Sequence, residues 1–265
     1  MSAMQTLDFA VDLPGGVTLQ VRHIKHSNSG GPAIVLLHEA LGTIALWRQF
    51  PARLAEATGR DVWVYERRGY GLSSSEPLPR PLDYLEQEGE VWLPRLLQAL
   101  GLNDVILLGH SDGGSIALVT AGAIPDQVTG LITIAAHVTV DPLTLQGIRT
   151  MGERYRTTNL GERLARHHGE RGKLLFDAWQ ETWVRDDFKQ AMNFQPWLSK
   201  IRCPALIMQG ESDEYGLPEQ VTDIVRAIGP HASPVFIQDA GHAPFVEQPE
   251  RVLALVSEFV DLIAR

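Results

Sequence analysis

The chain has 265 residues, of which 44% are hydrophobic and 21% are charged, and its formal net charge is -9. This length predicts one large α/β domain, or a core with an inserted subdomain, and does not require two domains. An acidic chain with mixed charges disfavours nucleic acid and anionic membranes as main partners, because like charges repel. The single cysteine, Cys203, excludes an internal disulfide and fits a reducing compartment.

Segments for export or membrane insertion are not predicted. The amino terminus has no basic stretch leading into an apolar core, and no apolar run approaches the roughly 18 residues of a membrane helix. We therefore expect a cytoplasmic protein. We expect a monomer or small homo-oligomer, with neither nucleic acid nor a membrane as partner.

The first elements predict a hairpin followed by the start of a sheet. Residues 6–11 and 17–24 are β-type segments separated by turn residues, which favours an antiparallel hairpin. The run Ala33–Leu37 is uniformly apolar, as expected for a strand that is covered on both faces. A helix carrying Trp47, Phe50 and Leu54 at helical spacing should follow it, and residues 61–65 form the next short strand.

Helices and apolar strands then alternate through the middle of the chain. Residues 84–100 place Trp92, Leu96 and Leu100 on one helical face, and residues 128–135 form a wholly apolar strand. Alternation of this kind, with strands that lack a polar face, predicts a parallel sheet with helices on both sides.

A helical, charge-rich segment interrupts this alternation between residues 138 and 200. A structureless loop of that length is improbable in a compact domain, so the segment is predicted to be a helical insertion. The core is predicted to comprise residues 1–137 and 201–265, and its last helix should start near Pro249, a residue type favoured in the first helical turn.

A sharp turn follows the predicted strand that starts at Val105. It reads Gly-His-Ser-Asp-Gly, with Ser111 at its centre. Flanking glycines relieve the crowding of a strained serine backbone and leave the hydroxyl exposed above the sheet. The turn therefore predicts a nucleophile elbow.

A serine hydroxyl is a poor nucleophile at neutral pH, so Ser111 needs a base and a group that orients the base. His242 lies in a glycine-preceded loop between the last predicted strand and the last helix. Asp213 follows directly after another predicted strand, at the strand ends where α/β active sites gather. Glu211 and Glu214 lie in the same loop as Asp213 and compete with it for this role.

Together with the His-x-x-x-Gly loop at residues 38–42, these motifs occur in an order that resembles the α/β-hydrolase fold over nearly the whole chain. The resemblance implies a mostly parallel central sheet flanked by helices, with residues 138–200 as a helical cap. It implies Ser111 as nucleophile, His242 as general base and then acid, and Asp213 as the orienting carboxylate. No cofactor or metal is expected.

The resemblance also implies an oxyanion hole made of the backbone amides of Ala40 and Asp112. Glu39 is a departure, because relatives mostly carry glycine at this position. Its carboxylate could bind substrate or water, or could point away and hold the loop. The side chain of Asp112 is interpreted as a helix-start carboxylate favoured by the helix dipole. The loop at residues 68–73 is expected to buttress the loop that carries Glu39.

Aromatic residues of the cap, among them Trp179 and Trp183, recur at helical spacing. Most such stripes only pack, but an insertion at this point should lie over Ser111, so these side chains are candidates for an apolar acyl pocket. The adjacent His167 and His168 point about 100° apart on a helix and have no metal-ligand geometry.

The leading hypothesis is a serine hydrolase that cleaves a carboxylic ester, lactone or thioester of a small, mainly apolar acid. One alternative is hydrolysis of a carbon-carbon bond in an aromatic ring-fission product, since related enzymes use the same triad. Another, of a different class, is a non-catalytic receptor for a small ligand, because fold does not fix function.

Overall fold

The computed structural model describes residues 4–27 and 29–263. Eight strands lie within these ranges: β1 (Met4–Leu13), β2 (Val17–His26), β3 (Ala33–Leu37), β4 (Val62–Tyr65), β5 (Val105–His110), β6 (Val128–Ile134), β7 (Ala205–Gly210) and β8 (Ala232–Ile237). They form one sheet in the order β1-β2-β4-β3-β5-β6-β7-β8. Strand β2 runs antiparallel to both β1 and β4, and every pair from β4 to β8 is parallel. The predicted hairpin and mostly parallel sheet are therefore confirmed.

Helices of the core flank the sheet: α1 (Phe50–Thr58), α2 (Tyr84–Gln87), α3 (Leu93–Leu100), α4 (Asp112–Ala123), α10 (Glu219–Ile228), α11 (Pro244–Glu247) and α12 (Pro249–Ile263). Helices α1 and α12 cover one face, and α3, α4 and α10 cover the other. No helix in the described ranges combines the length and apolar character needed to cross a membrane.

Strand β5 shows why the sheet is buried on both sides. Val105 and Leu107 point into the apolar cluster beneath α3 and α4, whereas Ile106 and Leu108 point into the cluster beneath α1 and α12. Successive side chains of a strand alternate between faces, so a strand covered on both sides must be apolar throughout. All six residues of β5 are buried, and the end of this strand is held rigidly in the centre of the sheet.

Five helices lie between β6 and β7 and are called the cap helices here: α5 (Pro142–Thr157), α6 (Leu160–His168), α7 (Arg171–Trp183), α8 (Asp186–Ala191) and α9 (Gln195–Leu198). They fall within the segment predicted to be a helical insertion. The boundaries of that insertion as a separate domain remain a prediction.

The predicted helix over residues 84–100 is not uniform. A π-turn at Glu88–Trp92 separates α2 from α3. The backbone of Gly89 packs on α4, where a side chain would come within 2.6 Å of Val119, and the Thr120 hydroxyl donates to the Gly89 carbonyl. The π-turn occurs where the backbone packs closely on α4. The spacing of hydrophobic residues in the sequence does not reveal such a turn.

Candidate active site

Ser111 occupies a strained turn between β5 and α4. Its φ of 54° and ψ of -121° lie in a region that non-glycine residues rarely adopt, at a cost of about 1–3 kcal/mol. Both flanking glycines are required by close contacts: a side chain at Gly109 would meet the Gly113 carbonyl at 2.1 Å, and one at Gly113 would meet the Leu37 carbonyl at 2.1 Å. The surrounding backbone therefore fixes the serine at the carboxyl end of the central strand β5.

His242 and Asp213 lie together at the same end of the sheet as Ser111, where the parallel strands have their carboxyl ends. Asp213 follows β7 and His242 follows β8, and the two side chains are joined by a hydrogen bond of 2.8 Å between His242 Nδ1 and Asp213 Oδ1. The same carboxylate oxygen accepts from the Tyr215 amide at 2.9 Å. Asp213 is buried, so this carboxylate can orient the imidazole without competition from bulk water.

The pair shifts the acidity of both groups. Burial raises the pKa of Asp213, but the charge and hydrogen bond of His242 outweigh this, and the pKa is lowered. Burial lowers the pKa of His242, but the Asp213 carboxylate outweighs it, and the pKa is raised above 6.5. Since an opposite charge favours the charged form, the carboxylate stabilises a proton on this histidine.

Ser111 and His242 line the same cavity, which has a volume of about 300 Å³. Its other lining residues are Glu39, Ala40, Leu41, Met151, Trp179, Glu214, Tyr215, Ala243 and Glu247. Apolar and aromatic side chains from the cap helices and the core loops therefore line the same cavity as the serine. Among the described residues of this lining, three are glutamates and none is arginine or lysine.

The backbone around Ala40 is held by its neighbours. The Glu39 carbonyl accepts hydrogen bonds from His38 Nδ1 at 2.7 Å, from Arg67 Nη2 at 3.0 Å and from the Gly42 amide at 3.0 Å. In a trans peptide the N–H points opposite to the carbonyl, so the Ala40 amide is directed away from these donors. Ala40 itself lines the cavity.

The side chain of His38 is neutral and supports this loop through hydrogen bonds. Its Nε2 accepts from the Arg67 amide at 3.1 Å, so Nδ1 carries the hydrogen that reaches Glu39. Burial and the charge of Arg67 lower the pKa of His38 to about 3. The ring therefore keeps one tautomer at neutral pH. The residue that binds this loop is Arg67, which lies outside residues 68–73, and buttressing by residues 68–73 stays a prediction.

The side chain of Asp112 lies at the start of α4, as interpreted from the sequence, but it has further partners. Its carboxylate accepts from the Tyr84 hydroxyl at 2.9 Å and lies 3.5 Å from Arg67 Nη2. The Tyr84 hydroxyl in turn accepts from the indole N–H of Trp183 at 2.8 Å. Trp183 is thus buried in a network that joins α7 to the core, whereas Trp179 lines the cavity.

Glu214 and Glu247 bind the backbone of the loop that carries His242, and not its ring. The His242 amide donates to Glu214 at 3.2 Å, and the Ala243 amide donates to Glu247 at 3.2 Å. The Gly241 amide also donates to Glu247. Glu211 is exposed. Of the acidic residues that compete in the sequence, only Asp213 therefore contacts the imidazole.

His168, at the end of α6, connects the cap helices to the loops around the serine. Its Nδ1 accepts from the Gly71 amide and its Nε2 donates to the Leu41 carbonyl, both at 3.1 Å. Arg171 donates to the carbonyls of Gly71 and Ser73. These contacts are called the His168 clamp. In the described part of the chain, no cluster of three or more His, Cys, Asp or Glu side chains is arranged to hold a metal.

Several residues of the site have no motif that would reveal them. Arg67, Tyr84 and His110 act through contacts with residues distant in the sequence. Only the glutamate at position 39, unusual beside the resembled pattern, signals in the sequence that this loop differs.

A mostly parallel sheet with a strained serine turn between a central strand and a helix is the architecture of the α/β hydrolases. The chain matches the model of the alpha/beta hydrolase family over residues 34–255. It therefore belongs to that family.

The relatives and structures that match this chain include several kinds of hydrolytic enzyme. Human serine hydrolase BPHL is 29% identical over 203 residues, covering 72% of this chain and 66% of that protein. A proline iminopeptidase from Heyndrickxia coagulans is 25% identical over 273 residues, covering 89% of this chain and 93% of the relative. The structure of 2-hydroxy-6-oxo-6-phenylhexa-2,4-dienoate hydrolase from Rhodococcus sp. strain RHA1 has a TM-score of 0.77 at 15% identity, covering 97% of this chain and 99% of that chain. This last likeness concerns the fold alone.

Proposed function

We propose that this chain is a serine hydrolase that cleaves a carboxylic ester, lactone or thioester of a small, mainly apolar acid. The observation that carries the proposal is one cavity lined by both Ser111 and His242, with His242 Nδ1 bonded to buried Asp213. A nucleophile, a base and a group that orients the base are the components of acyl transfer through a covalent intermediate.

In the first half of the reaction, Ser111 Oγ attacks the acyl carbon while His242 Nε2 takes the hydroxyl proton. The negative charge on the acyl oxygen is stabilised by the amides of Ala40 and Asp112. The Asp112 amide is the first of α4, so it has no partner within the helix. When the tetrahedral intermediate collapses, the bond to the leaving group breaks and His242 delivers the proton to the departing alcohol or thiol.

In the second half, water replaces the leaving group. His242 takes a proton from the water as its oxygen attacks the acyl-Ser111 carbon. Collapse breaks the bond to Ser111 Oγ, returns the proton to the serine and releases the acid. Leu41, Met151 and Trp179 offer an apolar surface to the acyl chain, in keeping with a small, mainly apolar acid.

The charges of the cavity weigh against the carbon-carbon hydrolase alternative. Ring-fission substrates of that class are carboxylic acids, and a cationic partner inside the site would stabilise their charge. The described lining has carboxylates at Glu39, Glu214 and Glu247 and no arginine or lysine. A carboxylate-bearing substrate would be repelled by these groups, so an ester with an uncharged acyl chain fits better.

A fluorophosphonate probe tests the proposal directly. We expect covalent labelling of folded protein at Ser111, with loss of both labelling and nitrophenyl butyrate hydrolysis in Ser111→Ala. Ser74→Ala provides a control serine outside the cavity, and this variant should keep both. Folded protein that binds esters saturably but is neither labelled nor active would instead favour the receptor alternative, and turnover of a dienol-keto acid alone would favour the carbon-carbon hydrolase.

A further inference from the structure

A second carboxylate and histidine lie beside the first pair. His110 precedes Ser111 in the chain and is buried, with 3% of its surface exposed. Its Nε2 lies 2.8 Å from the backbone carbonyl of His242, and its Nδ1 lies 3.6 Å from Glu39 Oε2. The ring therefore stands between a glutamate that is unusual for the resembled pattern and the main chain of the candidate base.

The two contacts restrict where hydrogens can lie on the ring. A carbonyl oxygen only accepts, so His110 Nε2 must carry a hydrogen. A neutral ring would then present a lone pair at Nδ1 toward the Glu39 carboxylate, 3.6 Å away, and the buried Nδ1 has no hydrogen-bond partner among the described residues. A hydrogen on Nδ1 converts this repulsion into an ion pair and gives the buried nitrogen a partner.

Within the described ranges, Glu39 is the carboxylate that lies within ion-pair distance of His110. Its ring neighbours are Trp47 at 6.4 Å, Phe245 at 5.0 Å and His242 at 5.1 Å between centroids. Burial raises the pKa of Glu39, but the influence of His110 and His38 outweighs it and lowers this pKa to about 2. The carboxylate is therefore available as the counter-ion of His110 at neutral pH.

We infer that Glu39 and His110 form a second ion pair, in which doubly protonated His110 holds the main chain of His242. Asp213 orients the ring of His242, and His110 fixes the backbone from which that ring extends. His110 is thus a positioning residue, and Glu39 acts through it. The inference rests on the proposed function, because it assigns His242 the role of base.

The protonation state can be measured without any assay of activity. In protein labelled with ¹⁵N-histidine, we expect both ring nitrogens of His110 to carry hydrogen at pH 7, the signals being assigned by their loss in His110→Phe. In Glu39→Gln the Nδ1 hydrogen should be lost, because no counter-ion remains. A singly protonated His110 in the unsubstituted protein, or an unchanged doubly protonated ring in Glu39→Gln, would overturn the ion pair.

The positioning role is read from kinetics. His110 does not line the cavity, so His110→Phe keeps the ring shape and changes no substrate contact. We expect kcat to fall about tenfold or more with KM little changed, because small misplacement of a base is costly. His23→Phe is the matched control: His23 also pairs with a carboxylate, Asp61, at 2.9 Å, but lies on β2 outside the cavity lining, and kcat should be unchanged.

These outcomes separate this inference from the proposed function. If His110→Phe is folded by its NMR spectrum and its kcat lies within twofold of the unsubstituted protein, the positioning role is wrong. The same result would leave labelling of Ser111 intact. Loss of labelling in the unsubstituted protein would instead overturn the proposed hydrolase, while the nitrogen signals of His110 would still report the ion pair.

Discussion

Asp213 and Glu214 are neighbours in the chain but contact different parts of His242. Asp213 Oδ1 accepts from the ring and Glu214 Oε2 accepts from the backbone amide. In the proposed reaction, the Asp213 charge beside the ring stabilises the proton that the ring takes up, whereas Glu214 holds the loop and acts on the ring only through its more weakly felt charge. We therefore expect the two carboxylates to contribute to the proposed activity to very different degrees.

Asp213→Asn is expected to lower kcat by about 10⁴, because an amide favours the wrong tautomer of the imidazole. Glu214→Gln should lower kcat by about tenfold or less, since the amide oxygen of glutamine can still accept from the His242 backbone. Steady-state hydrolysis of nitrophenyl butyrate measures both variants. A larger loss of kcat in Glu214→Gln than in Asp213→Asn would show that Glu214, and not Asp213, orients the imidazole.

The pH dependence of kcat/KM follows from the raised pKa of His242. The base works in its neutral form, so activity should rise with pH as His242 loses its proton, with a midpoint above 6.5. Glu214 is one of the charges that raise this pKa, and Glu214→Gln should therefore move the midpoint to lower pH. A midpoint that moves upward in this variant contradicts the assignment of His242 as the titrating base.

The serine, histidine and aspartate could be proposed from the sequence because each stands in a local pattern beside a strand end. His110 and Arg67 could not be assigned in this way. Their contacts, with the carbonyls of His242 and Glu39, join loops separated by many residues. Local patterns report backbone geometry, whereas partners of this kind depend on how strands are ordered in the sheet.

At the scale of elements, the site depends on how closely α4 approaches β3. The contact is made by Gly113, where a side chain would meet the Leu37 carbonyl at 2.1 Å. Gly-x-Ser-x-Gly thus encodes packing as well as a turn, which is why this element could be predicted from sequence. The π-turn in the 84–100 helix could not, because it is associated with side-chain contacts across the interface with α4.

Gly113→Ala is expected to destabilise the protein by about 3 kcal/mol or to prevent folding, because neither backbone can move without disturbing the sheet. Gly30→Ala is the matched control, since a side chain at Gly30 meets nothing within 4 Å. Its free energy of unfolding should change by less than about 0.5 kcal/mol. Urea denaturation measures both, and equal stabilities would show that α4 and β3 are not in such close contact.

For the molecule as a whole, net charge and cavity charge have the same sign. The chain carries -9, and Glu39, Glu214 and Glu247 line the cavity. Such a field attracts cations and repels anions, and the effect weakens as salt screens it. Substrate charge should therefore influence turnover even among esters with acyl chains of equal size.

We expect kcat/KM for butyrylcholine to exceed that for its uncharged carbon isostere by about tenfold at low salt. The ratio should shrink toward one as sodium chloride is raised, because screening acts on the charged ester only. The hemisuccinate of nitrophenol should be hydrolysed more slowly than nitrophenyl butyrate under the same conditions. Preference for the hemisuccinate would require a cationic group that the described cavity lacks.

The His168 clamp bears on how substrate reaches this cavity. His168 and Arg171 join the cap helices to the loops that carry Leu41 and Gly71, so swinging the cap away would also break up the backbone beside Ala40. We therefore expect the cap helices to stay in their present position during turnover. Dispersed substrate should be turned over without a lag, and an oil-water interface should bring no surge in rate when the substrate passes its solubility limit.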